Sequence, residues 1–315
     1  MKIENKIKVE RFEENPLIVP NKNIEWMSRN IFNPGVIIGD DGVFKMIVRG
    51  AWTKTQVGSD LGLALSPDGI NWNLLIDPVL KSGSNKYCLA GVEDPRIVKW
   101  INGFYYVFTT VCNKKSRIGI WKTKNFLDWE WVGIPFNREE KDSAIFPEPI
   151  NGWVYLLHRK SPNLWLSRTR DLTLRTGWQD SQILSSKEDW YKSPKTGNAP
   201  VKIGIAGPPI KTPKGWLLVT HIVHGKGENR FNRVYSLGFM ILSLDNPRKV
   251  KYIHPDPILW PEKYYEVIGS VPMVCFSNAI VDPQGDTGAL YIYYGGADTV
   301  ICGGRLYKKD LPMCY

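Results

Sequence analysis

Apolar and polar positions follow one order five times along the chain. A strand-like segment that begins near a proline runs into a polar, glycine-bearing turn, and a second, aromatic-rich apolar segment follows. The five copies are NPGVIIGDDGVFKMIVRGA from Asn33, EDPRIVKWINGFYYVFTTV from Glu93, FPEPINGWVYLLHRK from Phe146, GPPIKTPKGWLLVTHIV from Gly207 and SNAIVDPQGDTGALYIYYGGA from Ser277. Two such runs joined by a glycine-bearing turn are typical of a β-hairpin, so each copy predicts one hairpin.

A third apolar segment lies behind each hairpin, starting at Gly62, Gly119, Leu164, Gly238 and Gly303. The copies begin about 60 residues apart, which fits one four-stranded unit with variable loops. Five such units predict an all-β fold, a five-bladed β-propeller, which closes by radial repetition. A pair of β-sandwiches is the alternative. We draw no boundary and expect a single domain over residues 1–315, with an N-terminal arm at about residues 1–30.

Composition is compatible with a large core and with a reducing compartment. The chain has 315 residues, 43% hydrophobic and 12% aromatic, enough to bury a sizeable core. Its five cysteines are scattered without CxxC spacing, which argues against a disulfide framework or a zinc site, and the histidines are not spaced as metal ligands. We predict no metal and no cofactor. No signal peptide or membrane span is recognisable, so we expect a cytoplasmic protein without a membrane partner.

The net charge of +10 invites two interpretations. A basic chain can bind nucleic acid, but the lysines and arginines are spread along the sequence with no dense basic helix or arm. A small anionic substrate explains the charge equally well. We therefore predict no nucleic-acid partner.

The stretch GVEDPRIVKW places charge at the start of a strand. The first strand of each propeller blade lines the central channel, so Asp94 is expected to face a pocket at one mouth. The residues expected to ring the same mouth in the other units are Asn33, Glu148, Gly207 and Asn278. Because neighbours on a strand point to opposite faces, we expect only one of Glu93 and Asp94 in the cavity. Asp94 paired with Arg96 as a purely structural ion pair is an equal alternative.

Five motifs in this order resemble glycoside hydrolase family 130, the inverting β-mannoside phosphorylases and a few related β-mannosidases. They are FNPG ahead of a strand ending in Arg49, GVEDPRI, FPEPING with LHR, KIGIAGPPIKTPKGWLL and LYIYYGGADT. The resemblance covers the chain from about Asn33 to Asp298 and implies a five-bladed propeller.

The resemblance also implies roles for individual residues. Asp94 would be the general acid. Inorganic phosphate, the co-substrate, would be held by Lys141, Arg159 and Lys202, with His221 nearby. The positions that match contacts to the mannosyl unit or its surroundings are Asn33, Arg49, Asp142 and Asp298, and Arg96 joins them as a candidate substrate contact.

Phosphorolysis and hydrolysis make different demands on such a site. Inverting hydrolysis usually needs a second carboxylate as a base for water, whereas phosphate is already an anion and needs cations opposite the acid. Three cations at the family's phosphate positions favour phosphorylase chemistry, of glycosyltransferase type. A general acid must be protonated, so Asp94 needs a raised pKa from burial or nearby anions such as Asp298, and three nearby cations would oppose it.

Two other functions remain open at this stage. One is an inverting β-mannosidase on the same fold, with Glu148 or another carboxylate as its base. The other is a non-catalytic propeller that binds glycans or protein partners. Linkage, β-1,2 or β-1,4, and the acceptor sugar are left open, and exposed sheet edges with the N-terminal arm are compatible with a homo-oligomer.

Overall fold

The computed structural model describes residues 7–53, 58–225, 229–283, 288–311 and 314. A short strand, β1 (Glu10–Arg11), begins the ordered elements, and the remaining strands form five antiparallel groups. The first two groups are β2 (Asn30–Ile38), β3 (Phe44–Ala51), β4 (Asp60–Ser66) and β5 (Asn73–Leu74), then β6 (Gly91–Lys99), β7 (Tyr105–Asn113), β8 (Lys115–Thr123) and β9 (Glu130–Gly133). In both groups the chain order is also the order of strands across the sheet.

The third to fifth groups repeat this pattern. The third consists of β10 (Lys141–Ile145), β11 (Val154–Lys160), β12 (Asn163–Thr169) and β13 (Gln179–Ser185). The fourth has β14 (Lys202–Ile205), β15 (Ile210–Thr212), β16 (Gly215–Gly225), β17 (Arg233–Leu242) and β18 (Val250–Ile253), with both β14 and β15 pairing with β16. The fifth has β19 (Cys275–Val281), β20 (Ala289–Gly296) and β21 (Val300–Tyr307).

Helices are few and short. The described residues include one α-helical turn, α1 (Tyr264–Val267), and four 3₁₀ turns, at Glu25–Met27, Lys187–Asp189, Arg230–Asn232 and Lys308–Asp310. None of the helices in the described part of the chain has the length and apolar character needed to span a bilayer.

The N-terminal segment is the outer strand of the fifth blade. β1 pairs with β21, with Glu10 opposite Arg305 and Arg11 opposite Gly304. The backbone N–H groups of Phe12 and Leu17 donate to the same blade. The segment expected as an arm is thus bound within the molecule over its described part, and the first and last parts of the chain close the ring together.

Five apolar clusters lie between neighbouring blades. Ile47 of blade one and Val107 of blade two belong to one cluster, for example, and Val48 of blade one and Tyr293 of blade five belong to another. The remaining clusters join blades two and three, three and four, and four and five. Every blade therefore buries both of its faces, as closure into a ring requires. The predicted five-bladed β-propeller is confirmed, and the pair of sandwiches is wrong.

Candidate active site

The innermost strands of the blades carry β-bulges that turn polar side chains into the channel. The pairing register shifts at Asn33, Asp94 and Asp142, and each of these residues has a positive φ, 50°, 52° and 49° respectively. Asparagine and aspartate are the non-glycine residues that adopt this conformation most readily. A bulge leaves one residue out of the ladder and re-aims its side chain. The three bulges therefore place one carboxylate or amide from each of blades one to three at the same mouth.

The bulge at Asp94 changes one expectation. Regular alternation would place Glu93 and Asp94 on opposite faces, but both line the same cavity. The positive φ of Asp94 breaks the alternation at this point. The expectation that only one of the two carboxylates lies in the cavity is wrong.

Glu148, another residue expected to ring this mouth, lies elsewhere. Pro34 and Pro95 directly follow the bulged residues of blades one and two, but Pro147 lies beyond the end of β10 and Pro208 beyond β14. Glu148 is consequently at the opposite mouth, where its carboxylate lies 2.5 Å from Lys211 Nζ. Asp142 takes the bulged position in blade three.

Gly207 and Asn278 hold blades together. A Cβ on Gly207 would lie 3.0 Å from the backbone nitrogen of Ile280, so this glycine permits close approach of blades four and five. Asn278 is fully buried, and its Nδ2 donates to the carbonyl of Asn33 at 2.9 Å. Both residues fasten the ring, whereas neither is among the residues that line the cavity.

The channel mouth forms a charged cavity of about 270 Å³. Eight of the ten residues predicted for the site line this charged cavity: Asn33, Arg49, Asp94, Lys141, Asp142, Arg159, Lys202 and Asp298. They come from all five blades or the turns between their strands. The structure therefore brings together the proposed acid, the three proposed phosphate cations and four proposed sugar contacts.

One guanidinium joins the two carboxylates of the EDPR motif. Arg49 Nη1 donates to Asp94 Oδ1 at 3.0 Å, and Arg49 Nη2 lies 2.8 Å from Glu93 Oε1. Asn33 Nδ2 donates to the same Asp94 oxygen at 2.9 Å. Burial acts to raise the pKa of Asp94, but Arg49, Asn33 and Lys141 more than offset it and hold that pKa below its ordinary value. The expected raised pKa is therefore reversed by the neighbouring cations.

The three proposed phosphate cations lie in different electrostatic settings. Lys141 Nζ is 3.7 Å from Glu93 Oε2, and Arg159 Nε is 3.0 Å from Asp142 Oδ2. Burial acts to lower the pKa of Lys141, but Glu93 and Asp94 raise it above its usual range. Lys202 lies over the Tyr235 ring, 5.4 Å from its centroid, and burial together with nearby Arg159 lowers its pKa to about 7.

Asp142 organises the side of the cavity near blade four. Its carboxylate contacts Arg159 at 3.0 Å and Arg96 at 3.5 Å. Burial acts to raise its pKa, but these two guanidinium groups hold the pKa well below the usual range. A Cβ on Gly204 would lie 2.4 Å from Asp142 Oδ2, so only glycine leaves room for the carboxylate at this position of β14.

Two predicted site residues do not line the cavity. Arg96 is 1% exposed, and its guanidinium donates to the carbonyls of Asp94, Ile205 and Ala206. It therefore fastens blade two to blade four beneath the cavity. Arg96 contacts Asp94 through a hydrogen bond to its backbone carbonyl, where an ion pair between the two side chains was the alternative considered. The carboxylate with which Arg96 forms an ion pair is that of Asp142.

His221 is likewise buried behind the cavity wall. Its Nε2 lies 2.5 Å from the carbonyl oxygen of Ser277, and its ring stacks on Phe276 with the centroids 3.9 Å apart. Burial, aided by the charge of Arg96, lowers the pKa of His221 to about 3, so its imidazole is neutral. It supports Phe276, which does line the cavity, and makes no direct contribution to the lining.

The sequence analysis did not place seven lining residues in the cavity: Ala90, Glu93, Cys112, Arg230, Tyr235, Val271 and Phe276. Phe276 directly precedes Ser277, where the fifth repeated unit begins, and that position was a usable signal. Tyr235 and Arg230 lie around the start of β17. The sequence of β17 has the pattern of an ordinary third strand, so it gave no signal for these two residues. Within the described ranges no three His, Cys, Asp or Glu side chains group as a metal site, and the absence of a metal requirement stays a prediction.

Comparison with known proteins gives consistent results. The family model for glycoside hydrolase family 130, described as beta-1,4-mannooligosaccharide phosphorylase, matches residues 2–311. A 1,2-beta-oligomannan phosphorylase of Thermoanaerobacter sp. (strain X514) is 38% identical over 98% of this chain and all of its own length. A beta-1,4-mannooligosaccharide phosphorylase of Ruminococcus albus is 30% identical over 92% of this chain and 86% of its own.

A solved structure agrees in fold. The β-1,2-mannobiose phosphorylase from Listeria innocua, in complex with β-1,2-mannobiose, is 27% identical and superposes with a TM-score of 0.79. The match covers 96% of this chain and 98% of that one. The family model spans nearly the whole propeller, including every residue of the charged cavity. The chain therefore belongs to glycoside hydrolase family 130.

Proposed function

We propose that the protein is an inverting β-mannoside phosphorylase. It would convert a β-1,2- or β-1,4-linked manno-oligosaccharide and inorganic phosphate into α-mannose 1-phosphate and a shortened acceptor. The observation that carries the proposal is the convergence of Asp94 with Lys141, Arg159 and Lys202 on one sugar-sized cavity. The three relatives reported above are named as phosphorylases of mannosides, which supports it.

The cations suit phosphate as the nucleophile. Arg159 presents a planar fork to phosphate oxygens, whereas Lys141 and Lys202 act as point charges. Phosphate attacks the anomeric carbon from the face opposite the leaving group, so the C1–O bond to the acceptor breaks while a C1–O bond to phosphate forms. The acceptor oxygen takes up one proton, and the configuration inverts from β to α.

Asp94 is the proposed source of that proton. Arg49 and Asn33 favour its ionised form, so it must gain a proton before it can act as an acid. A phosphate anion among the cations adds negative charge to the cavity and shifts the pKa of Asp94 upward. Phosphate that enters as HPO₄²⁻ leaves as the dianionic sugar phosphate, and the proton it gives up replaces the one that Asp94 donates to the acceptor oxygen, so the reaction needs no further acid or base.

The geometry argues against the proposed hydrolytic base. Glu148 lies at the opposite mouth and is paired with Lys211. Glu93 does line the charged cavity, but it and Asp94 are held by the two ends of a single guanidinium. That arrangement places both carboxylates on one side, whereas inverting hydrolysis needs them about 6.5–9.5 Å apart with the sugar between them.

Defined mannobioses test the proposal. The protein is incubated with β-1,2- and β-1,4-mannobiose, each with and without inorganic phosphate, and mannose 1-phosphate is measured. β-1,2-mannobiose is the first substrate to try, because the relative at 38% identity is named for that linkage. We expect cleavage only with phosphate present. Equal release of free mannose without phosphate would overturn the proposal in favour of hydrolysis.

A further inference from the structure

A polar network with a buried centre and an exposed end lies within blade three, directly behind two of the cavity cations. Glu140, the residue before β10, is 2% exposed, and His158 on β11 is fully buried. His158 Nδ1 lies 2.9 Å from Glu140 Oε2, and the Phe136 ring packs on the imidazole with the centroids 5.2 Å apart. None of these three residues lines the charged cavity.

The network crosses the whole blade and returns to its start. His158 Nε2 lies 2.8 Å from Ser167 Oγ on β12, which in turn lies 2.7 Å from Ser181 Oγ on β13. Arg138 Nη2 donates to Ser181 Oγ at 3.0 Å, and its Nε donates to Glu140 Oε1. One closed set of polar contacts therefore ties together the segment ahead of β10 and the strands β11, β12 and β13.

Its position relative to the cations follows from strand geometry. Glu140 directly precedes Lys141, and His158 directly precedes Arg159. Lys141 and Arg159 are also opposite each other in the β10–β11 ladder. Because successive side chains on a strand point to opposite faces, contacts made by Glu140 and His158 fix the backbone from which the two cations project.

Stability alone gives little reason for this arrangement. Burying a carboxylate against an imidazole has a desolvation cost that is recovered only with good geometry, and apolar residues of similar volume often serve stability as well or better. A set of polar groups that contact one another in a protein interior does favour one geometry, because a buried polar group that loses its neighbour is costly. In blade three, that geometry includes the spacing between Lys141 and Arg159.

We infer that the Glu140–His158 contact and its network are a positioning device for phosphate, holding Lys141 and Arg159 at the spacing that one phosphate group bridges. The inference rests on the proposed function, because it assigns these two cations to phosphate. Glu140 and His158 act through their neighbours and touch no substrate themselves. Their loss should therefore weaken phosphate binding selectively.

The test compares two buried histidines. His158→Phe retains volume but removes both polar contacts of the ring. His254→Phe is the matched control, since His254 is also a buried histidine with a hydrogen-bond partner, the Tyr252 hydroxyl at 3.0 Å, but lies in blade four outside the cavity. The dissociation constant for inorganic phosphate is measured by calorimetry, and KM for the mannoside is measured at saturating phosphate.

We expect His158→Phe to weaken phosphate binding roughly ten-fold, by about 1.4 kcal/mol, while KM for the mannoside stays within about two-fold. Glu140→Gln is a smaller change and should weaken phosphate binding to a lesser degree. If His158→Phe does not fold, the measurement is made on Glu140→Gln instead. His254→Phe should leave both constants unchanged.

Two outcomes would overturn the inference. One is wild-type phosphate affinity in both His158→Phe and Glu140→Gln. The other is an equal loss of phosphate and mannoside affinity, which would indicate general damage to the fold. Failure of the proposed function would show separately, as a wild-type protein that binds no phosphate and cleaves mannoside equally well without it.

Discussion

The two ends of the propeller channel are built from the same strands and differ in almost every physical respect. At one end, the first halves of β2, β6 and β10 bulge and present Asn33, Asp94 and Asp142 to the charged cavity. At the other end, which we call the apolar mouth, the second halves of these strands and their neighbours supply mostly apolar side chains: Val36, Ile97, Pro147, Pro208, Ile210 and Ile280. Buried Arg96 lies between the two ends.

The difference shows that charge and backbone geometry distinguish the proposed site from the other mouth, and that cavity volume does not. The apolar mouth encloses about 380 Å³, more than the charged cavity. Its two lysines, Lys99 and Lys211, are each paired with an exposed carboxylate, Asp40 and Glu148. Positions three to four residues apart along one strand thus belong either to the proposed active site or to the apolar mouth. Matched changes at the two ends should separate these roles experimentally.

The largest contrast is expected between Asp94→Asn and Glu148→Gln. Loss of a general acid costs roughly 10²–10⁴-fold in rate, and asparagine keeps the size of the side chain and a hydrogen-bond acceptor for Arg49. Glu148→Gln at the apolar mouth should leave phosphorolysis within about two-fold of wild type. Initial rates of mannose 1-phosphate formation measure both. Substantial activity in Asp94→Asn would remove Asp94 from the mechanism.

Lys202→Met and Lys211→Met form the second pair. A hydrogen bond to a charged group contributes about 1.5–3 kcal/mol, so loss of Lys202 should raise KM for phosphate roughly 10- to 100-fold. Lys211 pairs with Glu148 at the surface and should be dispensable. Phosphate saturation curves at fixed mannoside compare the two. Similar curves for both variants would contradict the proposed role of Lys202.

Gly204→Ala and Gly39→Ala compare the effect of an added Cβ near the charged cavity with its effect just beyond the other end of an inner strand. A Cβ at position 204 meets the buried, doubly paired carboxylate of Asp142, and we expect a loss of about 1–3 kcal/mol in the free energy of unfolding. At position 39 the nearest atoms belong to the Lys45 and Asp41 side chains, which can move aside. Denaturant unfolding gives both values. Equal free energies of unfolding for the two variants would contradict the steric conflict that the structure indicates at position 204.

The smallest effect concerns pH. Burial and Arg159 lower the pKa of Lys202 to about 7, so its charge is lost as pH rises through that value. Its contribution to phosphate binding should therefore be present below pH 7 and decline above it, by several-fold between pH 7 and 8. The measurement is kcat/KM for phosphate in wild type divided by that in Lys202→Met, which cancels the ionisation of phosphate itself. A ratio independent of pH would contradict this expectation.

Sequence patterns predicted the blades and eight of the residues that line the charged cavity, because turns and apolar runs repeat and the family motifs are distinctive. They misplaced Glu148 because the prolines of blades one and two follow the bulge, whereas Pro147 lies past the strand end. They separated Glu93 from Asp94 because a positive φ at an aspartate depends on contacts with other blades. Arg96 was predicted to contact substrate because the sequence does not show that its guanidinium donates hydrogen bonds to the backbone carbonyls of Ile205 and Ala206.

The most direct test of the account asks which oxygen attacks the sugar. Cleavage of the preferred mannobiose is carried out in ¹⁸O-enriched water with unlabelled phosphate, and the products are analysed by mass spectrometry. We predict mannose 1-phosphate without ¹⁸O and essentially no labelled free mannose, because phosphate held by the three cations forms the new bond to C1. Free mannose carrying ¹⁸O at C1 as the primary product would contradict the account.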